Sequence, residues 1–274
     1  MPVISTNTAA NSAVRYLNIN AAQESSSLAK LSSGSKITKA SDGAAGLAIS
    51  TRISSDVTTL QQAATNAAQA TAILQTADGG ASNISDILAR MKSLASESAS
   101  GTTVSSSRAY INSEFSQLIG EIDSISTGTR YSSQSLLDGT SAFSSGVSVL
   151  VGSSGSDTIS ITLTSLTSSA LAVTSLDVSS QTGATSALSS LDTAIDKVSS
   201  ARADIGAQES RFNFSADSIS TQTQNLQSAN SAIRDVDVAA EQAALSSAEV
   251  KTQAAVSAET AANQMPQYLL KLLG

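Results

Sequence analysis

The stretch LSSLDTAIDKVSSARADIGAQESRFNFSADSIS, residues 188–220, decides the fold. Within it Leu188, Leu191, Ile195, Val198, Arg202, Ile205, Glu209, Phe212, Ala216 and Ile219 recur at alternating spacings of three and four. That is the heptad signature of a helix packing along one seam. The phase continues through Thr223, Leu226, Ala229, Ile233, Val236, Ala240, Ala243, Ser247, Val250 and Ala254. At 1.5 Å per residue a rod of up to ~100 Å is expected. Up to Ile233 the seam is built mainly of large apolar side chains; beyond it Ala and Ser take over. Small residues let helices approach closely but bury little area, and at roughly 25 cal/mol per Å² an Ala-rich pair is weak alone.

The other half of the chain carries matching patterns. Val14, Leu17, Ala21, Glu24, Leu28 and Leu31 form a second heptad seam, which stops at the turn-forming Ser32-Ser33-Gly34-Ser35. A helix from about Ala44 to Ala77 presents Ile53, Val57, Leu60, Ala64, Ala67, Thr71 and Leu74 on one face. Asp78-Gly79-Gly80 is expected to punctuate it before the pattern resumes at Ile84, Ile87, Met91 and Leu94. A third helix, about Ser105 to Ser126, carries Ile111, Phe115, Leu118, Ile122 and Ile125. Between about Gly128 and Thr185 the period changes. Val147–Val151 and Thr158–Leu163, rich in β-branched residues and separated by the turn formers 152–157, predict a β-hairpin with a loop longer than two residues. Only one bulky pair, Leu28 and Leu31, lies at the end of the N-terminal seam. Both chain ends are therefore expected to order on association rather than in a lone subunit.

Composition narrows the chemistry. The 274 residues include no Cys, His or Trp, 2 Pro, and 3% aromatics. Ser and Thr together make up roughly 30% of the chain, far from average usage. Without Cys there is no disulfide, thiolate nucleophile or thiolate-bound metal, and without His the usual neutral-pH base and the commonest metal ligand are missing. The net charge of −7 and the lack of any Lys/Arg run argue against nucleic acid. Residues 1–7 have neither the basic region nor the apolar core of a secretory signal, and no apolar run approaches the ~20 residues of a membrane span. Composition alone therefore suggests a soluble, cytoplasmic chain without a cofactor.

The candidate chemical sites have simpler readings. Asp235 and Asp237, at i and i+2 on the expected helix, point to different faces and read as a solvated surface. Asp42-Gly43, Asp78-Gly79 and Asp138-Gly139 read as turn or cap pairs. Gly152-Ser153-Ser154-Gly155 lacks the Lys and the following helix of a phosphate loop. Arg90-Met91-Lys92 reads as an exposed, solubilising basic cluster.

The motifs themselves resemble bacterial flagellin. The block Leu28-Ala29-Lys30-Leu31-Ser32-Ser33-Gly34-Ser35-Lys36-Ile37 and the following Ser41–Ser50 are similar to that family's most diagnostic stretch. Further matches are Leu74–Gly80, Leu136-Leu137-Asp138-Gly139, Ile205-Gly206-Ala207 with Arg211-Phe212, Ile233–Glu241, and Ala262–Gln267 followed by Leu269-Leu270. The resemblance covers about residues 1–140 and 185–274, in the family's order.

What the resemblance implies is a mainly α fold: long coiled-coil helices from both chain ends, antiparallel, plus a helical core domain carrying a small β-hairpin. Only about 45 residues separate Gly139 from Thr185, so no large outer domains are expected. The terminal coiled-coil domain would comprise 1–40 and 233–274, with helices at about 5–32 and 233–270. The core domain would be 41–232, with its hairpin region at about 140–184. The implied function is a self-polymerising filament subunit, extracellular in the flagellum. It would be exported unfolded through the flagellar type III apparatus, which reverses the cytoplasmic expectation. Implied partners are further copies of the chain, an export chaperone, the cap and hook-associated proteins, with no nucleic acid and no membrane insertion. Inner-tube contacts are expected at Leu28, Leu31, Val250, Leu269 and Leu270, and helical-domain contacts at Asp42, Leu47, Ile49, Ile205 and Arg211. The segment resembling the Toll-like-receptor motif matches at Arg90 and Leu94, with Ser93 in place of the usual acidic residue. Glu209 and Ser210 stand where the family often has Gln and Asn. A hook–filament junction protein, or a surface-binding adhesin using the 140–184 segment and Phe143, are the alternative readings.

Overall fold

The computed structural model describes the backbone of residues 7–273 and the side chains of that range except Pro266 and 268–273. Helices α1 (Thr8–Ser33), α2 (Ala44–Ala99), α3 (Ser105–Gly128), α4 (Gln181–Arg234) and α5 (Val238–Leu273) carry the chain. Between α3 and α4 lie two antiparallel hairpins, β1 (Arg130–Tyr131) with β2 (Gln134–Ser135), and β3 (Val147–Leu150) with β4 (Thr158–Ile161). The chain clusters into two compact units, Met1–Ser55 with Asn225–Gly274, and Asp56–Gln224. The sequence-based border at 40/41 follows a turn signal and that at 232/233 the change of seam character at Ile233, whereas α2 and α4 each run through the border between the units.

In the first unit α1 and α5 run antiparallel. Lys30 Nζ lies 3.9 Å from Glu241 Oε1, Thr252 Oγ1 donates to Glu24 at 3.3 Å, and Asn7 Nδ2 donates to the Ala262 carbonyl at 2.8 Å. Asn7 also caps α1, accepting from the Ala10 amide at 3.0 Å, and Gly34 ends it with φ 67°, a left-handed conformation that favours glycine. The expected single rod from α4 into α5 is corrected here. The helix stops at Arg234, Asp235 pairs with Ser35 in an isolated bridge, and the Val236 amide donates to the Gly34 carbonyl at 3.1 Å. Asp237 then caps α5, accepting from the Ala239 and Ala240 amides at 3.0 and 3.1 Å. The two carboxylates thus sit in a helix break and not on one helix, and each has a structural partner.

The break resets the heptad phase. The α5 positions turned toward α1 are Glu241, Ala244, Leu245, Ala248, Thr252, Ala255, Glu259 and Ala262, while Ala240, Ala243, Ser247, Val250 and Ala254 fall mainly on the exposed side. A similar shift occurs on α1. Ala10, Ala13, Leu17, Asn20, Glu24, Ser27 and Leu31 are buried or half-buried, and Val14, Ala21 and Leu28 are exposed. On α1 half of the sequence-based seam, Leu17, Glu24 and Leu31, keeps to the inner face while Val14, Ala21 and Leu28 face out; on α5 the break at 235–237 carries the mostly small seam residues to the exposed side.

The second unit holds the large side chains. Leu74, Ile84, Leu88 and Met91 of α2, Phe115 and Ile122 of α3, and Phe212 of α4 are fully buried with Leu136, Leu137 and Ile161. The α4 seam is the one expected from its spacing, with Leu191, Val198, Ile205, Phe212 and Ile219 buried. The break expected at Asp78-Gly79-Gly80 does not exist: α2 is continuous from Ala44 to Ala99. Gly80 serves a close approach instead. A Cβ there would lie 2.4 Å from Thr129 Oγ1 and 2.8 Å from Leu137 Cδ1. Asp78 is a helix-surface residue that takes two hydrogen bonds from Arg202 of α4, at 2.8 and 3.3 Å.

The β3–β4 hairpin forms where its β-branched residues place it, one residue shorter on β3 and two on β4, in the register Val147 to Ile161 and Leu150 to Thr158. The segment from Thr162 to Ser180 is pinned by side chains. Gln208 brackets Thr162 with two hydrogen bonds, Asp123 takes two from Ser168, and Asn112 accepts from the Val178 amide.

Candidate self-assembly surface

Polar chemistry in the described residues is structural. No group of three or more His, Cys, Asp or Glu among them could hold a metal ion. No helix in the described residues is long and apolar enough to cross a membrane. Asp42 accepts from the Thr38 hydroxyl at 2.9 Å and from the Lys39 and Thr38 amides at 2.9 and 3.1 Å, closing the turn before α2. Those donors, the Thr38 hydroxyl foremost, hold its carboxyl below the usual range. Asp138 does the same before the second hairpin. The Thr140 amide and hydroxyl donate to it at 2.9 and 2.8 Å, the amide contributing most to its lowered pKa, and Gly139 follows at φ 79°. Arg202 is held protonated by its hydrogen bonds to Asp78.

Glu209 is the exception. Its Oε1 is buried without a hydrogen-bond partner, and burial, then the charge of Asp78, push its carboxyl up. The sequence flagged Glu209 as a departure from the family pattern. Its buried, unpaired oxygen could not be read there, because it depends on what packs over that face.

The expected contact residues fall into three groups. Leu28 is 59% exposed, Val250 69%, and Ile49 and Arg211 are also exposed; these side chains are available to a neighbouring molecule. Leu31 and Leu47 are half-buried. Ile205 is in the core of the second unit, and Asp42 is exposed with its carboxylate engaged in its own turn. Leu269 and Leu270 lie outside the described side chains.

Arg90 and Leu94 are likewise already engaged. Leu94 is buried in the core, and Arg90 donates to Glu114 through Nε and Nη2 at 3.0 and 2.7 Å. Arg90 and Lys92 are exposed as expected, but each is tied to another helix, Lys92 to Asp192 at 2.5 Å, and Met91 between them is fully buried.

On the outer side of α1 the sequence reading singled out Leu28 as a contact but not Tyr16 or Ile19. Val14, Tyr16, Ile19 and Leu28 are all exposed, and Asn11, Val14, Arg15, Asn18, Ile19 and Ala22 line a shallow groove of ≈ 500 Å³. On α5, Val250, Val256 and Met265 are exposed as well. A lone helical pair that leaves its larger apolar side chains to solvent, and closes its own contact with Ala, Ser and Thr, carries a surface suited to further copies.

Comparison with known proteins agrees with this arrangement. Residues 4–142 match the model of the bacterial flagellin N-terminal helical region, and residues 188–273 that of the bacterial flagellin C-terminal helical region. The chain is 36% identical over 273 residues to a flagellin of Halalkalibacterium halodurans, covering 99% of both chains. It is 32% identical to the flagellar filament 30.7 kDa core protein of Treponema maltophilum, again over 99% of each. Among solved structures, Bacillus cereus flagellin is similar with a TM-score of 0.52 and 28% identity, covering 61% of this chain and 94% of that one. Helices contributed by both ends of the chain, a helical unit with two small hairpins, and matches at both termini make this chain a member of the bacterial flagellin family.

Proposed function

We propose that this flagellin, a structural subunit of the extracellular flagellar filament, polymerises through the outer faces of its terminal helices and has no catalytic role. The carrying observation is the exposure of Val14, Tyr16, Ile19 and Leu28 on α1 and of Val250 and Val256 on α5, while the contact between those helices is made largely by small and polar residues. Burial shared over many copies supplies the ordering free energy that one α1–α5 pair lacks. Residues 1–40 and 233–274 act as the assembling part and 41–232 as the helical core, with Leu28, Leu31, Val250, Leu269 and Leu270 at the inner contacts. Ile49, Leu47 and Arg211 contribute at the helical core. Export through the flagellar type III apparatus and handling by a chaperone, the cap and hook-associated proteins are what the family resemblance implies.

Seeded assembly of purified protein, followed by negative-stain electron microscopy, tests the reading. The intact chain is expected to give long filaments, and a version lacking residues 1–40 and 235–274 none. Filaments from the trimmed chain would remove the terminal helices from the mechanism.

A further inference from the structure

The contact between α1 and α5 is made mostly of small and polar side chains. Such a seam sets the axial register of two helices weakly, and a polar group at one position is a common device for fixing it. Polar ties are present at both ends of this pair. At one end Gly34 and Val236 join the two connections through their backbones, with Ser35 and Asp235 paired between them. At the other, the half-buried Asn7 makes two different bonds with one side chain. Its Oδ1 accepts from the Ala10 amide at 3.0 Å and caps α1, and its Nδ2 donates to the Ala262 carbonyl of α5 at 2.8 Å. About 40 Å of helix lies between the two ties.

Inside a helix a carbonyl is ordinarily taken by the amide four residues on, so a side-chain amide from a neighbouring helix has no particular address. Ala262 is different. Four residues on stands Pro266, which lies within α5 and has no amide hydrogen. Ala262 is also buried, 7% exposed, where an unpaired carbonyl is costly. Asn7 supplies the missing donor from the other end of the chain. The sequence has one further proline, Pro2, so among the described residues no other helix carbonyl is opened in this way.

We propose that Asn7, Ala262 and Pro266 form a register lock: the proline opens one carbonyl inside α5, and Asn7 closes on it, so that α1 docks on α5 at a single axial setting. Asn7 is a positioning residue. A slip of one turn, about 5.4 Å, would leave the Ala262 carbonyl unpaired and bring the Asn7 amide to a carbonyl already engaged within its own helix. The lock deepens the self-assembly reading above, on which its effect in filaments rests. It sets Val14, Tyr16, Ile19 and Leu28 of α1 beside Val250 and Val256 of α5 in one composite surface. That surface must be the same in every copy for a helical polymer to repeat.

A double-mutant cycle tests the lock. Asn7→Ser keeps a good cap on α1 but has no amide to reach Ala262, and Pro266→Ala restores the helix's own donor to that carbonyl. With Pro266 in place, Asn7→Ser is expected to raise the critical concentration for seeded assembly by about two- to tenfold, the scale of one neutral hydrogen bond. In the Pro266→Ala background the same change should have less than about a twofold effect. Equal effects in both backgrounds would mean that Asn7 acts only as a cap, and no effect in either would remove it from assembly; both overturn the lock. If the Pro266→Ala chains do not polymerise, solid-state NMR of filaments with isotope-labelled asparagine side-chain amides and alanine carbonyls decides. A through-space peak present in wild type and lost in Asn7→Ser supports the lock. Its absence from wild-type filaments, or its persistence in Asn7→Ser, rejects it. Wild-type protein that forms no filaments with seeds overturns the self-assembly reading and takes the lock's role with it; filaments that form while the coupling or the peak is missing lose the lock alone.

Discussion

At Gly80 the structure demands that there be no side chain. The nearest atoms a Cβ would meet belong to Thr129, whose hydroxyl is already bonded to the Ile125 carbonyl at 2.7 Å, and to the buried Leu137. Gly80→Ala is expected to destabilise the chain by about 1–3 kcal/mol despite its better helix propensity, because overpacking costs more than the helix gains. Gly79→Ala is the control: a Cβ there meets nothing within 4 Å, and the same change should stabilise by about 1 kcal/mol. Urea unfolding of the unpolymerised variants measures both. Glu209 supplies a pH dependence. Its folded pKa lies above the unfolded value, so the native state binds the proton more tightly than the unfolded chain. Its contribution therefore falls as pH rises from the ordinary carboxylate value of 4.5 through the raised folded one, and the cost is fully present above that folded value. Glu209→Gln is expected to be more stable than wild type at pH 7 by on the order of 1 kcal/mol, because the neutral amide keeps the polar atom but removes the partly desolvated charge. That gap should close as the pH drops below the ordinary carboxylate range. Unfolding curves at pH 7 and at about pH 4 give the comparison; an equal difference at both would mean that ionisation of Glu209 is not its source.

Among the elements, those whose burial follows large apolar side chains were legible in the sequence. The α3 helix and the β3–β4 hairpin came out close to their observed bounds, and the inner face of α4 as expected though not its end at Arg234, because Phe115, Phe212, Leu191 and the β-branched strand residues leave one choice of inner face. Where side chains are small, the pattern misleads. The Asp78-Gly79-Gly80 signal marks a tight helix approach rather than a turn, since packing on both sides overrides the propensity of two glycines. The break at 235–237 is marked only by two Asp residues, which a heptad count passes over, and its partner Ser35 is distant in sequence. The β1–β2 hairpin was missed for a local reason. Ser132 and Ser133, its two turn residues, have φ of 47° and 69°, values usually signalled by Asn-Gly. Replacing them with Asn and Gly is expected to stabilise the chain by about 1 kcal/mol in thermal unfolding, through relief of that left-handed strain. For α5 the cap is the testable feature. Asp237→Ala removes both acceptor contacts at its first turn and should cost about 1 kcal/mol locally. The readout is faster amide exchange at Ala239 and Ala240, with α4 unaffected.

For the molecule as a whole, the two compact units divide the stabilising contacts very unequally. The largest fully buried side chains, from Leu60 to Phe212, all belong to Asp56–Gln224. The other unit joins α1 to α5 through residues such as Ala13, Asn20, Ser27, Ala248 and Thr252, with Leu17, Leu31 and Leu245 as its larger contributors. At roughly 25 cal/mol per Å² such a contact yields little against about 1–2 kcal/mol of backbone entropy per ordered residue. The helices α1 and α5 are therefore expected to open far more often than the second unit in the unpolymerised chain, and to be held closed only when neighbours cover Leu28 and Val250. Hydrogen exchange measures this directly. In dilute monomer the amides of α1 and α5 should exchange orders of magnitude faster than those near Leu88, Phe115 and Phe212, and on polymerisation the difference should largely vanish. Uniform protection in the monomer would mean that the terminal helices are stable alone, so that assembly buries a preformed surface instead of ordering one. Salt provides the companion lever. Each copy carries a net charge of −7, so neighbours repel, and raising ionic strength from about 10 to 150 mM shortens the screening length from roughly 30 to 8 Å. The critical concentration for assembly is accordingly expected to fall with added salt, as the long-range repulsion is screened while the apolar contacts of α1 and α5 are left intact.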